Sequence, residues 1–200
     1  QKTFVYLKNR TLTLSVYEQD FGRFVMSEDS EDISQSLIVQ KDATNASLEA
    51  VEVGWIRASL YPSVVLLNDA ILQNGGTIKT TTTVSQTGLD SYPATFTVTV
   101  KKAGTVKVPA GTFTDCRSIT STEQATIPGH GKVNATALTA YLAPGVGIIK
   151  MAVAPGQWAL LQNGIINGIP IGSPSSNSFH TLTVEIMGNG KVTPSYDGKA

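Results

Sequence analysis

Cys116 is the only cysteine of the 200-residue chain, and it stands beside Asp115 with His130 a short way downstream. An acid, a thiol and a histidine are the ingredients of a thiol nucleophile with its base. That chemistry requires a lowered thiol pKa and a base within hydrogen-bond reach. The commoner fate of a lone cysteine is to be a small buried hydrophobe on a strand, and that is the expectation for Cys116. His130 lies in the turn-like Pro128-Gly129-His130-Gly131 and His180 at the end of a Ser-rich stretch. With no His-x-x-x-His spacing, neither signals a metal. The acidic run Glu28-Asp29-Ser30-Glu31-Asp32 offers hard-cation ligands but lacks the spacing and central glycine of a calcium loop. A solvated loop between strands is expected there. Gly145-Val146-Gly147 and Gly129-His130-Gly131-Lys132 lead into strand-like residues instead of a helix, so neither is a phosphate cradle. No Gly-x-Ser-x-Gly elbow and no His-Glu-x-x-His occurs. The sequence therefore predicts no catalytic residue, no metal and no cofactor.

What could bind is apolar. Trp55, Phe96, Val98, Val100, Phe113, Tyr141 and Trp158 are the side chains expected to line the concave face of a curved sheet. Such a face is either a greasy cavity able to hold an acyl chain or an ordinary filled core. The filled core is the stronger expectation, because small barrels are usually packed with their own side chains.

The elements that must carry these residues are strands. Phe96, Val98 and Val100 alternate with Thr95, Thr97 and Thr99, and Leu12, Leu14 and Val16 alternate with Thr11, Thr13 and Ser15. That period of two puts one set on a core and the other in water. Residues 21–26, 36–40, 48–55, 77–85, 105–108, 113–119, 133–142 and 148–153 read as further strands. Pro109-Ala110-Gly111 reads as a hairpin turn, and Asn163-Gly164 as the turn of a closing hairpin between 158–161 and 165–171. Pro62 to Asn74 is ambiguous: either a helix capped by Ser63, or an extended segment. Residues 1–172 are expected to form one domain, 173–180 a linker poor in apolar residues, and 181–200 a β-hairpin that opens a surface repeat.

Composition sets the location. Fifteen basic and fifteen acidic residues give zero formal charge and a pI of about 6.9, so no net positive footprint points to nucleic acid. Charged residues are only 15% of the chain, with Thr, Ser, Asn and Gly in their place, as in secreted β proteins. No stretch is long and apolar enough for a transmembrane helix. A monomer that is secreted, periplasmic or displayed on a bacterial surface is expected.

The run Thr105-Val-Lys-Val-Pro-Ala-Gly-Thr-Phe-Thr-Asp-Cys116, followed by Tyr141-Leu-Ala-Pro-Gly-Val-Gly-Ile-Ile-Lys150, resembles a motif pair of uncharacterised bacterial envelope β proteins. These are similar to the DUF3108 and lipoprotein-carrier-like families. The resemblance spans roughly residues 60–162. It implies a mostly β fold with a strongly curved antiparallel sheet, an unclosed or half barrel, holding at most one or two short helices. Related folds carry lipid or lipoprotein chains in that concavity. The tail from Leu182 to Pro194 resembles the opening of an internalin B-repeat-type surface module. Together these imply a non-catalytic module of a larger envelope protein, whose partner is another envelope component or a hydrophobic small molecule.

Overall fold

The computed structural model describes residues 2–6, 10–20, 23–29, 34–166 and 169–172. The chain runs through β1 (Lys2–Tyr6), β2 (Arg10–Asp20), β3 (Arg23–Asp29), β4 (Ser34–Lys41), β5 (Asn45–Val53) and β6 (Ile56–Asn68). A single short helix, α1 (Asp69–Asn74), precedes β7 (Gly76–Gln86), β8 (Tyr92–Val108), β9 (Gly111–Ile127) and β10 (Gly131–Ala143). β11 (Gly147–Ala154), β12 (Gln157–Ile166) and β13 (Ile169–Ile171) complete the order. Strands make up 81% of the fold, each pairing antiparallel with the next in one meandering sheet. The mostly β, curved and unclosed architecture with little helix is therefore as the sequence predicts. The predicted linker 173–180 and hairpin 181–200 lie outside the described residues.

The curvature follows from pairing alone. At about 4.8 Å per strand, a flat sheet would hold β1 and β12 roughly 50 Å apart. Instead Lys2, Thr3, Phe4 and Val5 pair with Gly164, Asn163, Leu161 and Leu160, so the sheet curls until its ends meet. The wall still does not close. β6 and β7 pair only through Ala58–Tyr61 and Thr83–Gln86. Beyond that, the rest of β6 pairs with β5 alone and the first half of β7 with β8 alone.

Helix α1 sits at this parting. Ile71 is buried in the same cluster as Val98, Val100 and Cys116, so the helix fills the gap with an aliphatic side chain. Asn68 caps it, its Oδ1 accepting from the Ile71 N–H at 2.9 Å. Arg117 on β9 donates to the carbonyls of Leu72 (2.6 Å) and Gln73 (3.2 Å), tying down the C-terminal end. Gly75 leaves the helix at φ 76°, with any Cβ 3.1 Å from the Val100 carbonyl oxygen, so only glycine fits. The ambiguous segment 62–74 is thus both things in turn. Val64, Val65 and Leu67 extend along β5, and the helix begins only after Asn68, with Asn68 and not Ser63 as its cap.

Asn163-Gly164 is not a turn. β12 runs straight through it because β1 pairs with both residues. The hairpin to β13 forms later, with Ile166 opposite Ile169.

The buried faces form two clusters. One centres on Val98, Val100, Ile119, Ile149 and Leu161, the other on Leu48, Val64, Val84, Tyr92 and Phe96. In the first, the cross-strand row Val100–Ile119–Ala140–Met151–Ala159 traverses five strands, and each member is buried.

The β4–β5 hairpin is held by a local turn. The Asp42 carboxylate accepts from the backbone N–H groups of Thr44 and Asn45, both at 2.7 Å. Those bonds, Thr44's first, lower its pKa from 3.8 to about 2. A depressed acid stabilises the fold above its unfolded pKa and loses that contribution as it protonates. Asp42→Ala should therefore lower Tm at neutral pH, and the gap to the parent should close as pH falls from about 4 towards 2. Thermal melts across that range, followed by circular dichroism, measure it.

Candidate functional site: the two faces of the sheet

The seven apolar residues predicted to line one concavity are divided by the pleat. Val98 and Val100 are 1% exposed and Phe96 is buried, all pointing inward along β8, and Phe113 packs partly buried against the same core. Tyr141 and Trp158 do not join them. The β9–β10 ladder slips by one residue between Thr136 and Leu138, which reverses the parity of the strand beyond it. Ala140 then takes the inward position, and Tyr141 turns out. On β12, Ala159 and Leu161 are fully buried, so Trp158, next to Ala159 and on the opposite parity, also faces outward. Trp55 sits at the β5–β6 turn and is 81% exposed. Its neighbour Gly54 (φ 58°) makes a tight hairpin of what the alternation reads as strand.

Outside, Tyr141 and Trp158 meet edge to face with centroids 5.7 Å apart. Lys150, directly opposite Tyr141 across the ladder, places its Nζ 5.1 Å from the Tyr141 centroid and 4.3 Å from that of Trp158. Both distances are within cation–π range. The alternation Ile149–Lys150–Met151 on β11 puts this ammonium over the two rings, because its neighbours on either side are taken by the core.

Cys116 is fully buried and donates its S–H to the Phe113 carbonyl at 3.3 Å. Burial pushes its thiol pKa up, and the Asp115 charge adds to that. This is the environment of an inert structural thiol. His130 is exposed in the β9–β10 turn, and the structure joins it to no nucleophile. Among the described residues no group of three or more His, Cys, Asp and Glu could hold a metal. The core of the acidic run, residues 30–32, and His180 fall outside the described residues.

One titratable residue was not anticipated. Glu123 lies on the inward parity of β9, between buried Ser121 and Ala125 and opposite Phe96. No described residue pairs with its carboxylate, and burial raises its pKa. Tyr92 nearby is also raised, first by burial and then by the Glu123 charge. The spacing Ile119–Ser121–Glu123–Ala125 carried the signal, since it puts the glutamate in register with the core.

The outward face of β7–β10 is mostly polar, with Pro93 and Tyr141 as its exceptions. Its rows read Thr77–Thr99–Thr120–Thr139 and, two rows on, Thr81–Thr95–Gln124–Asn134. Thr77 and Thr99 hydroxyls bond at 3.2 Å. At one end of this face a shallow crevice of about 500 Å³ is bordered by Thr95, Gln124, Thr126, Lys132 and Asn134. No protein-family model, curated protein or solved structure matches the chain.

Two outcomes follow from the buried groups. Cys116 should resist iodoacetamide in the native protein and react at the rate of an ordinary free thiol once the chain is unfolded, read by mass shift over time. Glu123 has a raised pKa, so its charged form costs stability at neutral pH, and that cost fades as pH falls through the raised value. Glu123→Gln should raise Tm at pH 7, with the advantage shrinking as pH approaches the ordinary value of 4.5.

Proposed function

We propose that the chain is a non-catalytic β module of a larger secreted or cell-surface bacterial protein, with a binding or structural role. The single observation that carries this reading is how its inward face is filled at the centre. Val64, Val98, Val100, Ala140, Ile149, Ala159 and Leu161 are at most 1% exposed, so no water-sized sphere fits beside them and no acyl chain does either. Six buried alanines (Ala50, Ala94, Ala125, Ala140, Ala143 and Ala159) take up interior positions with little bulk. Cys116 supports the non-catalytic part of the reading, since its thiol is enclosed and its pKa is raised. The weakly charged, Thr-rich outer surface and the resemblance to envelope β proteins support the location.

A carrier for a lipid or other hydrophobic ligand has one observation in its favour. The sheet parts between β6 and β7, and an opening there would lead towards Val98 and Val100. Ile71 of α1 stands in that path, which favours the module. Native mass spectrometry of freshly purified protein, set against the same sample denatured, separates the two. The module predicts a bare 21.1 kDa chain under both conditions. Extra mass of fatty-acid or phospholipid size, lost on denaturation, would replace the module with the carrier.

A further inference from the structure

Zero net charge conceals a division along the chain. Residues 1–75 carry six basic and ten acidic side chains, whereas residues 76–172 carry seven basic and three acidic. In the second half the pairing registers show where the excess goes. Lys79 stands in the row of Thr97 and Thr122, Lys132 in the row of Thr126, and Lys101 and Lys150 at the two ends of the row through Ser118 and Tyr141. All four lysines share the outward face of β7–β11, and none of the positions in these rows is an aspartate or glutamate. Lys79, Lys101 and Lys132 are exposed. The three acids of this half lie elsewhere: Asp90 in a turn, Asp115 in the β9 bulge, and Glu123 on the inward parity.

We infer that this face docks an anionic polysaccharide, a glycan chain bearing repeated carboxylates. The inference rests on reading the chain as a binding module. Spacing selects a polymer over a small anion. Lys101 and Lys150 are three strands apart, about 14 Å, so no single carboxylate reaches both, whereas an extended chain does. Side-chain chemistry selects a glycan over a nucleic acid. Thr hydroxyls and the Gln124 and Asn134 amides between the lysines both donate and accept, which suits a polyol. No arginine, the residue best shaped for bidentate phosphate contact, stands in the rows. Four charges are also sparse against a duplex with one phosphate per ~1.7 Å. The shallow crevice beside Thr95, Gln124 and Asn134, floored in part by Ala94, Ala125 and Val133 and with Lys132 at its rim, lies on the path of such a chain.

The test is binding of the full 200-residue chain to polygalacturonate, by biolayer interferometry, with dextran and a duplex oligonucleotide as comparators. In low salt (about 0.01 M, Debye length ~30 Å) the chain should hold polygalacturonate, and about 1 M salt should release it. Lys79→Gln, Lys101→Gln and Lys132→Gln together should weaken binding about tenfold or more. Lys102→Gln with Lys107→Gln, outside the rows, should weaken it far less, and circular dichroism should show both variants folded. No binding in low salt, equal binding to dextran, equal binding to the duplex, or equal loss in the two variants would overturn the proposal. Polygalacturonate that binds but emerges shortened on size exclusion would keep the docking face and remove the non-catalytic reading.

Discussion

Everything in this fold depends on a single sheet having to bury one of its own faces against itself. No second layer exists among the described residues to cover it, and α1 is too short to do so. A meander of thirteen strands can remove its apolar face from water only by curling, and it can curl only if the inward side chains are small enough. The inward row that ends at Ala140, Met151 and Ala159 satisfies this by alternating bulk with alanine. A fully buried Val or Leu contributes about 1.5–3 kcal/mol. The inward row keeps that contribution at Val100 and Ile119 and gives up bulk where the walls must meet. Enlarging Ala140 or Ala159 would press on packed neighbours, and such overpacking typically costs about 1–3 kcal/mol.

Curling creates its own weak points, and the chain treats each locally. Where β6 and β7 part, α1 supplies Ile71 as a plug, and Arg117 satisfies helix carbonyls that would otherwise lack partners. Where β6 bulges, between Ser59 and Val64 against β5, the Pro62 carbonyl accepts from the buried Thr82 hydroxyl at 2.6 Å. That bond accounts for a threonine that faces inward among apolar neighbours, because a buried hydroxyl is costly only without a partner. At the β4–β5 end a carboxylate performs the turn's hydrogen bonding. These devices are polar, short-range and coded by a few residues each.

That difference explains which parts of the structure were legible in the sequence. Period-two alternation is a strong local signal: it located β7 and β11 closely and the middle of β2, but it split β8 into two runs and ended β9 at Ile119 although the strand continues to Ile127. The turn at Pro109-Ala110-Gly111 was equally readable, because each residue there has a fixed conformational role. Asn163-Gly164 misled because its meaning is set by a partner some 160 positions away: β1 occupies its hydrogen bonds and holds it extended. Tyr141 misled for a subtler reason. Counted from Val133 its parity is inward, and only the slip in the β9–β10 ladder turns it out. A bulge leaves no mark in the hydrophobic pattern except a shift in phase, and Leu138–Ala140–Leu142 after Val133 carries that shift. The alternation before Trp55 is good and points it onto a strand face, yet the glycine at 54 ends the strand first.

The same parity argument limits where recognition can reside. Once the inward positions are committed to packing, the side chains left to meet a partner are the outward ones and those at the turns. The outward rows of β7–β10 use threonine where a purely structural strand surface could use almost any polar residue. Threonine keeps the strand stiff at χ1 while presenting a hydroxyl that both donates and accepts. The result is a surface with regular polar spacing and little conformational entropy to lose on contact, since a branched, sheet-held side chain is already ordered. Lysines set into such a surface differ from lysines on a flexible loop. Their Cα positions are fixed by the ladder, and Lys150 is further steadied over Tyr141 and Trp158. The fold therefore fills its inward positions and keeps an ordered exterior: the same parity that sets the alanines against the core sets the threonines and lysines in register outside.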